Sequence, residues 1–137
     1  HTLVPSFDNG WLSGFIDAEG SLTCSFKDKT ETTKNKISMR LIVSQKECKE
    51  VMDDLNLLLK GAVNSTSDGG FNITVGIKKM KAILDYLKVY KLRTQKVIQY
   101  KSFIKIHDLV SKKIHVDNEK GYKKVKKLMI KYKKLLN

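Results

Sequence analysis

At Gly20 the spacing of the apolar residues changes, and that change restricts the fold more than any other feature of the chain. Before it, Trp11, Leu12, Phe15 and Ile16 recur at helical intervals. After it, Leu22, Cys24 and Phe26 alternate with Ser21, Thr23, Ser25 and Lys27, the period of a strand with one apolar face. A helix is therefore expected over Phe7 to Ala18, capped by Asp8 or Asn9 and ended by Gly20 as C-cap. Ile37, Met39, Leu41 and Val43 alternate with Lys36, Ser38 and Arg40, so Asp28 to Asn35 reads as the loop of a hairpin.

The same sequence of signals then repeats. Ser44-Gln45-Lys46-Glu47 has the pattern of a capping box, and Val51, Met52, Leu55, Leu58 and Leu59 continue it as an amphipathic helix ended by Gly61. A second hairpin is expected from Ala62–Thr66, a turn at Ser67-Asp68-Gly69-Gly70, and Phe71–Ile77. Three helical stripes follow. They are Met80, Ile83, Leu84 and Leu87, then Val97 to Leu109 within roughly Thr94–Ser111, then Val125 to Leu136 behind Asp117 or Asn118. The order α-β-β-α-β-β-α-α-α predicts an α+β fold: one four-stranded antiparallel sheet with helices on its apolar face. The 137 residues suit a single domain.

Charge is divided unevenly. Residues 1–77 carry eight Lys and Arg against ten Asp and Glu, whereas residues 78–137 carry 19 against four. The positive field therefore comes from the last 60 residues and favours a polyanionic partner over a cationic substrate. Only Arg40 and Arg93 are arginine among the 27 basic residues, a bias that points to an AT-rich, organellar genome. No apolar run approaches the length of a bilayer-spanning helix. The lysine-rich amphipathic stretch Tyr122–Tyr132 could lie on a membrane surface, but no membrane partner is expected. Cys24 and Cys48 lack metal-site spacing, and His1, His107 and His115 read as surface or terminal residues rather than zinc ligands. The start at His1 suggests a processed product or an excised domain.

The strand residues expected to point away from the core are Ser21, Thr23, Ser25, Lys27, Lys36, Ser38, Arg40, Asn64, Thr66, Asn72 and Thr74. They are hydroxyls, amides and cations with no carboxylate among them. Such groups match base edges and phosphates, and a β-ribbon fits the major groove. For any one residue a solvated sheet face is the simpler reading; the acid-free set as a whole favours nucleic acid.

Asp17 and Glu19 sit in the last turn of the first helix, at the negative end of its dipole, where each is unfavourable by roughly 0.3–1 kcal/mol relative to a cation. A bound hard cation such as Mg²⁺ would remove the conflict. The stretch Leu12-Ser13-Gly14-Phe15-Ile16-Asp17-Ala18-Glu19-Gly20 resembles the signature of the LAGLIDADG homing endonucleases and intron maturases. Leu12, Gly14, Ile16, Asp17, Ala18 and Gly20 match letter for letter; Ser13, Phe15 and Glu19 are conservative departures.

The resemblance implies a saddle-shaped sheet on the DNA major groove and a second module of the same kind. That module comes from a homodimer or, as favoured by the start at His1 and the Glu variant of the motif, from another half of the same polypeptide. It implies an interface of Leu12, Ser13, Gly14, Ile16 and Asp17, metal binding by Glu19, and a catalytic group of Glu19, Gln45 and Arg93, with Lys96 as an alternative to Arg93. Arginine where the family uses lysine weakens the case for cleavage but not for binding. The implied activity is site-specific cleavage of both DNA strands, dependent on Mg²⁺ or another divalent cation, in an intron-spreading, mitochondrial setting. The alternative implied by the same family is a maturase that binds group I intron RNA. A structural RNA-binding protein, of the ribosomal kind, would leave Asp17 and Glu19 without a role.

Overall fold

The computed structural model describes residues 6–45 and 49–136. Helix α1 (Trp11–Glu19) leads into strands β1 (Gly20–Lys27) and β2 (Lys36–Gln45), then α2 (Lys49–Leu59), β3 (Ala62–Ser65) and β4 (Phe71–Val75). Three helices complete the chain: α3 (Ile77–Val89), α4 (Lys96–Ser111) and α5 (Glu119–Leu135). The strands form one antiparallel sheet in the order β1-β2-β4-β3, so both hairpins lie side by side as expected.

Alternation places Leu22, Met39, Leu41, Val43, Ile73 and Val75 on one face, where they are buried with residues of all five helices in a single core. Each fully buried aliphatic side chain stabilises the fold by about 1.5–3 kcal/mol. His107 also belongs to this interior. It is buried, its ring nitrogens 3.1 Å from the Ile77 carbonyl and 3.3 Å from the Ser111 hydroxyl, which corrects its expected surface position.

Several boundaries differ from the expectation for physical reasons. Ser44 is not a helix cap: β2 continues through it, and its hydroxyl donates to Asn72 Oδ1 at 2.7 Å across the sheet. Lys46 and Glu47, the other half of that pattern, lie outside the described residues, as does Cys48. Ile77 opens α3 instead of ending β4. Glycine's role at both helix ends is closeness rather than a left-handed turn. Gly20 is extended, and a Cβ there would meet the Ile16 side chain and carbonyl at 2.9 Å. At the end of α2 it is Lys60 that takes the positive φ, of 56°, while a Cβ on Gly61 would come within 2.5 Å of the Thr74 carbonyl.

β1 is an edge strand, and an open edge invites pairing with other chains. Helix α5 covers it. The buried Tyr132 hydroxyl donates to the Leu22 carbonyl, and Tyr122 and Lys126 hold Asp28, just past the end of β1, at 2.8 and 2.9 Å. Burial and that carboxylate push the Tyr122 hydroxyl up to about 12.

Candidate nucleic-acid interface and catalytic end

A helix of nine residues is too short to be stable alone, so α1 depends on what holds its ends. At the N-terminus Gly10, rather than Asp8 or Asn9, holds the cap position; Asn9, just before it, accepts through Oδ1 from the Trp11 N–H at 2.9 Å. The Tyr86 hydroxyl, from α3, accepts from the Ser13 N–H at 2.9 Å and donates to the Asn9 carbonyl at 2.6 Å. At the C-terminus Lys96, from the first turn of α4, donates to the carbonyls of Ile16, Asp17 and Gly20 at 3.1, 2.7 and 2.7 Å. An ammonium has three protons, and all three are engaged.

This geometry relieves the helix dipole by a route other than the bound cation weighed from the sequence. The cation at the negative end of α1 is supplied by the chain itself. It also gives Lys96 a definite position: against the backbone that carries Glu19, with its protons already donated.

The two acids of the motif differ sharply. Asp17 accepts from the Arg93 N–H at 2.6 Å, the Thr94 N–H at 3.3 Å and the Thr94 hydroxyl. Burial raises its pKa, but the hydrogen bonds from Thr94 and Arg93, with the Lys96 charge, outweigh that and hold it below the ordinary carboxylate range. Glu19 is exposed, and no donor among the described residues reaches its carboxylate. Arg93 is exposed and contributes its backbone N–H to Asp17. Gln45 ends β2 opposite Phe71.

The expected interface residues divide as well. Leu12 and Ile16 are 0% and 1% exposed, within this chain's own core, so neither forms part of an interface with a second module. Ser13 is buried too, its hydroxyl donating to the Gly10 carbonyl at 3.0 Å. Opposite them, at i, i+3, i+4 and i+7, lie Trp11, Gly14, Phe15 and Ala18. Trp11 and Phe15 stack at 5.2 Å, and a Cβ on Gly14 would meet nothing within 4 Å. The outward face of α1 is therefore apolar, exposed at Gly14 and Ala18 and half-buried at Trp11 and Phe15, which also pack against the core; the motif alone did not separate it from the buried face.

The polar sheet face is as expected over most of its area. Strand register pairs Thr23 with Arg40, Ser25 with Ser38 and Lys27 with Lys36, and sets Asn72 opposite Asn64 and Thr74 opposite Ala62. Ser21 lies opposite Ile42, so Ile42, Ser44 and Ala62 join the face, three positions that the reading of alternation had omitted. Thr66 leaves it. It lies past β3 in the hairpin turn, where its hydroxyl donates to Asp68 and accepts from the Gly70 N–H at 3.0 Å. Lys27 directly opposite Lys36 is unfavourable in isolation and becomes favourable only beside anions. Among the described residues no ion pair neutralises Lys27, Lys36 or Arg40.

A sequence model described as LAGLIDADG endonuclease matches residues 12–107. The chain belongs to the LAGLIDADG endonuclease family. It is 40% identical over 134 residues to a Neurospora crassa protein named "Probable intron-encoded endonuclease 4", covering 97% of this chain and 24% of that protein. It thus spans about a quarter of the length of that curated relative. The crystal structure of the homing endonuclease I-TnaI superposes with a TM-score of 0.80 at 19% identity, covering 98% of this chain and 97% of that one. The LAGLIDADG homing endonuclease I-SmaMI bound to cleaved DNA gives 0.78 at 25% identity, over 88% of this chain and 42% of that one. LAGLIDADG membership, expected from the motif, and the four-stranded α+β architecture, expected from the order of elements, are both borne out.

Proposed function

We propose that this chain is one module of an intron-encoded, site-specific DNA endonuclease that acts with a second module of the same kind. The observation that carries the reading is the contrast between Glu19 and its surroundings. A carboxylate with no partner among the described residues stands at the rigid end of a doubly anchored helix, beside a sheet face without acids. The outward apolar face of α1, exposed at Gly14 and Ala18 and flanked by the half-buried Trp11 and Phe15, supports packing against the matching helix of the partner module, either in a homodimer or within a longer polypeptide.

The donor set suits a hard divalent ion such as Mg²⁺, which binds through one or two carboxylates together with substrate phosphate and water. Among the described residues no group of three or more acidic, histidine or cysteine side chains forms a closed cage, so Glu19 offers a half-site completed by phosphate and partner. Such an ion, when bound, supplies Lewis acidity and an activated water. The chain's own contribution is placement. Lys96 fixes the backbone at Glu19, Asp17 fixes the loop that carries Arg93, and the cations and hydroxyls of the sheet seat the duplex. We assign Glu19 to metal binding and catalysis, and Gln45 and Arg93 to ordering water and charge beside it; Lys96 acts by positioning. The lysine bias and the intron-encoded relative support an organellar, mitochondrial gene.

A second reading rests on charge placement. The outward sheet face holds three cations, whereas 19 basic residues belong to positions 78–137, on and between the helices. Group I intron RNA on that helical side would account for them. One experiment separates the readings. The assembled two-module protein is incubated with Mg²⁺ and a duplex library, and Glu19→Gln is compared with wild type. Loss of cleavage by at least about 10³-fold with duplex binding retained supports the endonuclease. Absence of cleavage by either protein, with intron splicing that depends on lysines 112–134, supports the maturase.

A further inference from the structure

The outward side of the sheet is not uniformly polar. Register aligns Ser21, Ile42, Thr74 and Ala62 in one row across all four strands. On one side of this row lies Ser44–Asn72–Asn64, and on the other Thr23–Arg40. An isoleucine, a threonine methyl and an alanine thus sit between an amide row and a guanidinium. Neighbouring strands are about 4.8 Å apart, so the apolar strip from Ile42 to Ala62 is roughly 10 Å wide. The row begins two residues after Glu19, at the end of the sheet nearest the catalytic carboxylate.

The major groove presents one apolar feature to a protein, the C5-methyl of thymine, and it is read by just such contacts. The flanking rows suit other edges: asparagine for adenine, arginine for guanine. We propose that Ile42, with Thr74 and Ala62 beside it, is a specificity-determining residue that selects thymine near the cleaved position of each half-site. This rests on the DNA reading given above and adds the base and the atom recognised. An isoleucine surrounded by hydroxyls, amides and cations gains nothing from solvent; against a methyl group it buries apolar area on both partners.

The test uses the assembled two-module protein and duplexes selected from a randomised library by binding. Each thymine of a selected duplex is then replaced, one at a time, by uracil, which removes the methyl and leaves every hydrogen-bonding group in place. One thymine per module is expected to bind about four-fold less well as uracil, the worth of one buried methyl-sized group. In Ile42→Ala that thymine–uracil difference disappears, while differences at other positions stay. Ile42→Thr, which keeps strand propensity and one methyl, retains part of it and controls for folding. Equal binding of every uracil duplex, or an undiminished difference in Ile42→Ala, overturns the assignment and leaves DNA binding intact. Failure to select any duplex overturns the DNA reading itself.

Discussion

The two faces of the sheet obey opposite rules. Inward, β1, β2 and β4 contribute side chains that are all but excluded from solvent, and the polar groups nearby are engaged inside the molecule: Tyr132 with Leu22, Lys96 with three carbonyls, Asp17 with Arg93 and Thr94. Outward, like charges are set opposite each other at Lys27 and Lys36, and Glu19 stands without a donor among the described residues. Neither arrangement outside improves the stability of an isolated chain. The difference teaches that, among the described residues, the carboxylate and sheet cations nearest the proposed substrate lack internal partners, whereas Asp17 and Lys96, close by, are fully engaged.

That contrast can be broken most forcefully from the inside. Leu41 is fully buried between Leu22 and Val75, and Leu41→Ala should cost about 2–5 kcal/mol in denaturant unfolding. An unchanged midpoint would mean that the inward face is not the core. Asp17 gives a smaller, pH-dependent effect. Its folded pKa is depressed, so its stabilisation is complete above the unfolded value near 4 and is lost as pH falls through the folded value. Asp17→Asn should therefore lower thermal stability at pH 7 by about 1 kcal/mol after allowance for solvent. It should also flatten the acid limb of a melting-temperature profile; a parallel profile would remove Asp17 from the closed region. The smallest effect comes from outside. Lys36→Gln relieves the opposition to Lys27 and should raise stability by about 0.2–1 kcal/mol, while reducing the salt slope of DNA binding by about one. A loss of stability with an unchanged slope would assign Lys36 to the fold instead.

The order of elements was legible because apolar periodicity is local: alternation at Leu22–Phe26 and Ile37–Val43 and helical spacing at Met80–Leu87 each report on one face of one element. Ser44 was misread for the same reason, since a four-residue capping pattern carries no information about a strand that continues through its first member. The acidic end of α1, the proposed catalytic end, was legible in type but not in wiring. Glu19 and Asp17 are equivalent by position, and what distinguishes them are Arg93 and Thr94, separated from Asp17 by 76 and 77 residues. Lys96 was picked out as a cation near the site, yet its contact with the end of α1 spans 76–80 residues and has no local signature. Leu12 and Ile16 were assigned to an interface through resemblance, whereas helical geometry turns them away from Trp11, Gly14, Phe15 and Ala18. Ile42 escaped notice because in sequence it sits inside the apolar run Leu41-Ile42-Val43; alternation carried one step past Arg40 turns it outward, and register sets it between Ser21 and Thr74.

The hold of Lys96 on α1 sets the size of the portable unit. Residues 6–76 contain the motif, both hairpins and the whole sheet, and would look sufficient to anyone transplanting this surface onto another scaffold. Such a fragment would lose the Tyr86 hydroxyl at one end of its shortest helix and the ammonium at the other, leaving the acidic tip to fray. A graft that keeps its aim must extend through α4, and one that is also to stay monodisperse must bring α5 along to shield the first strand.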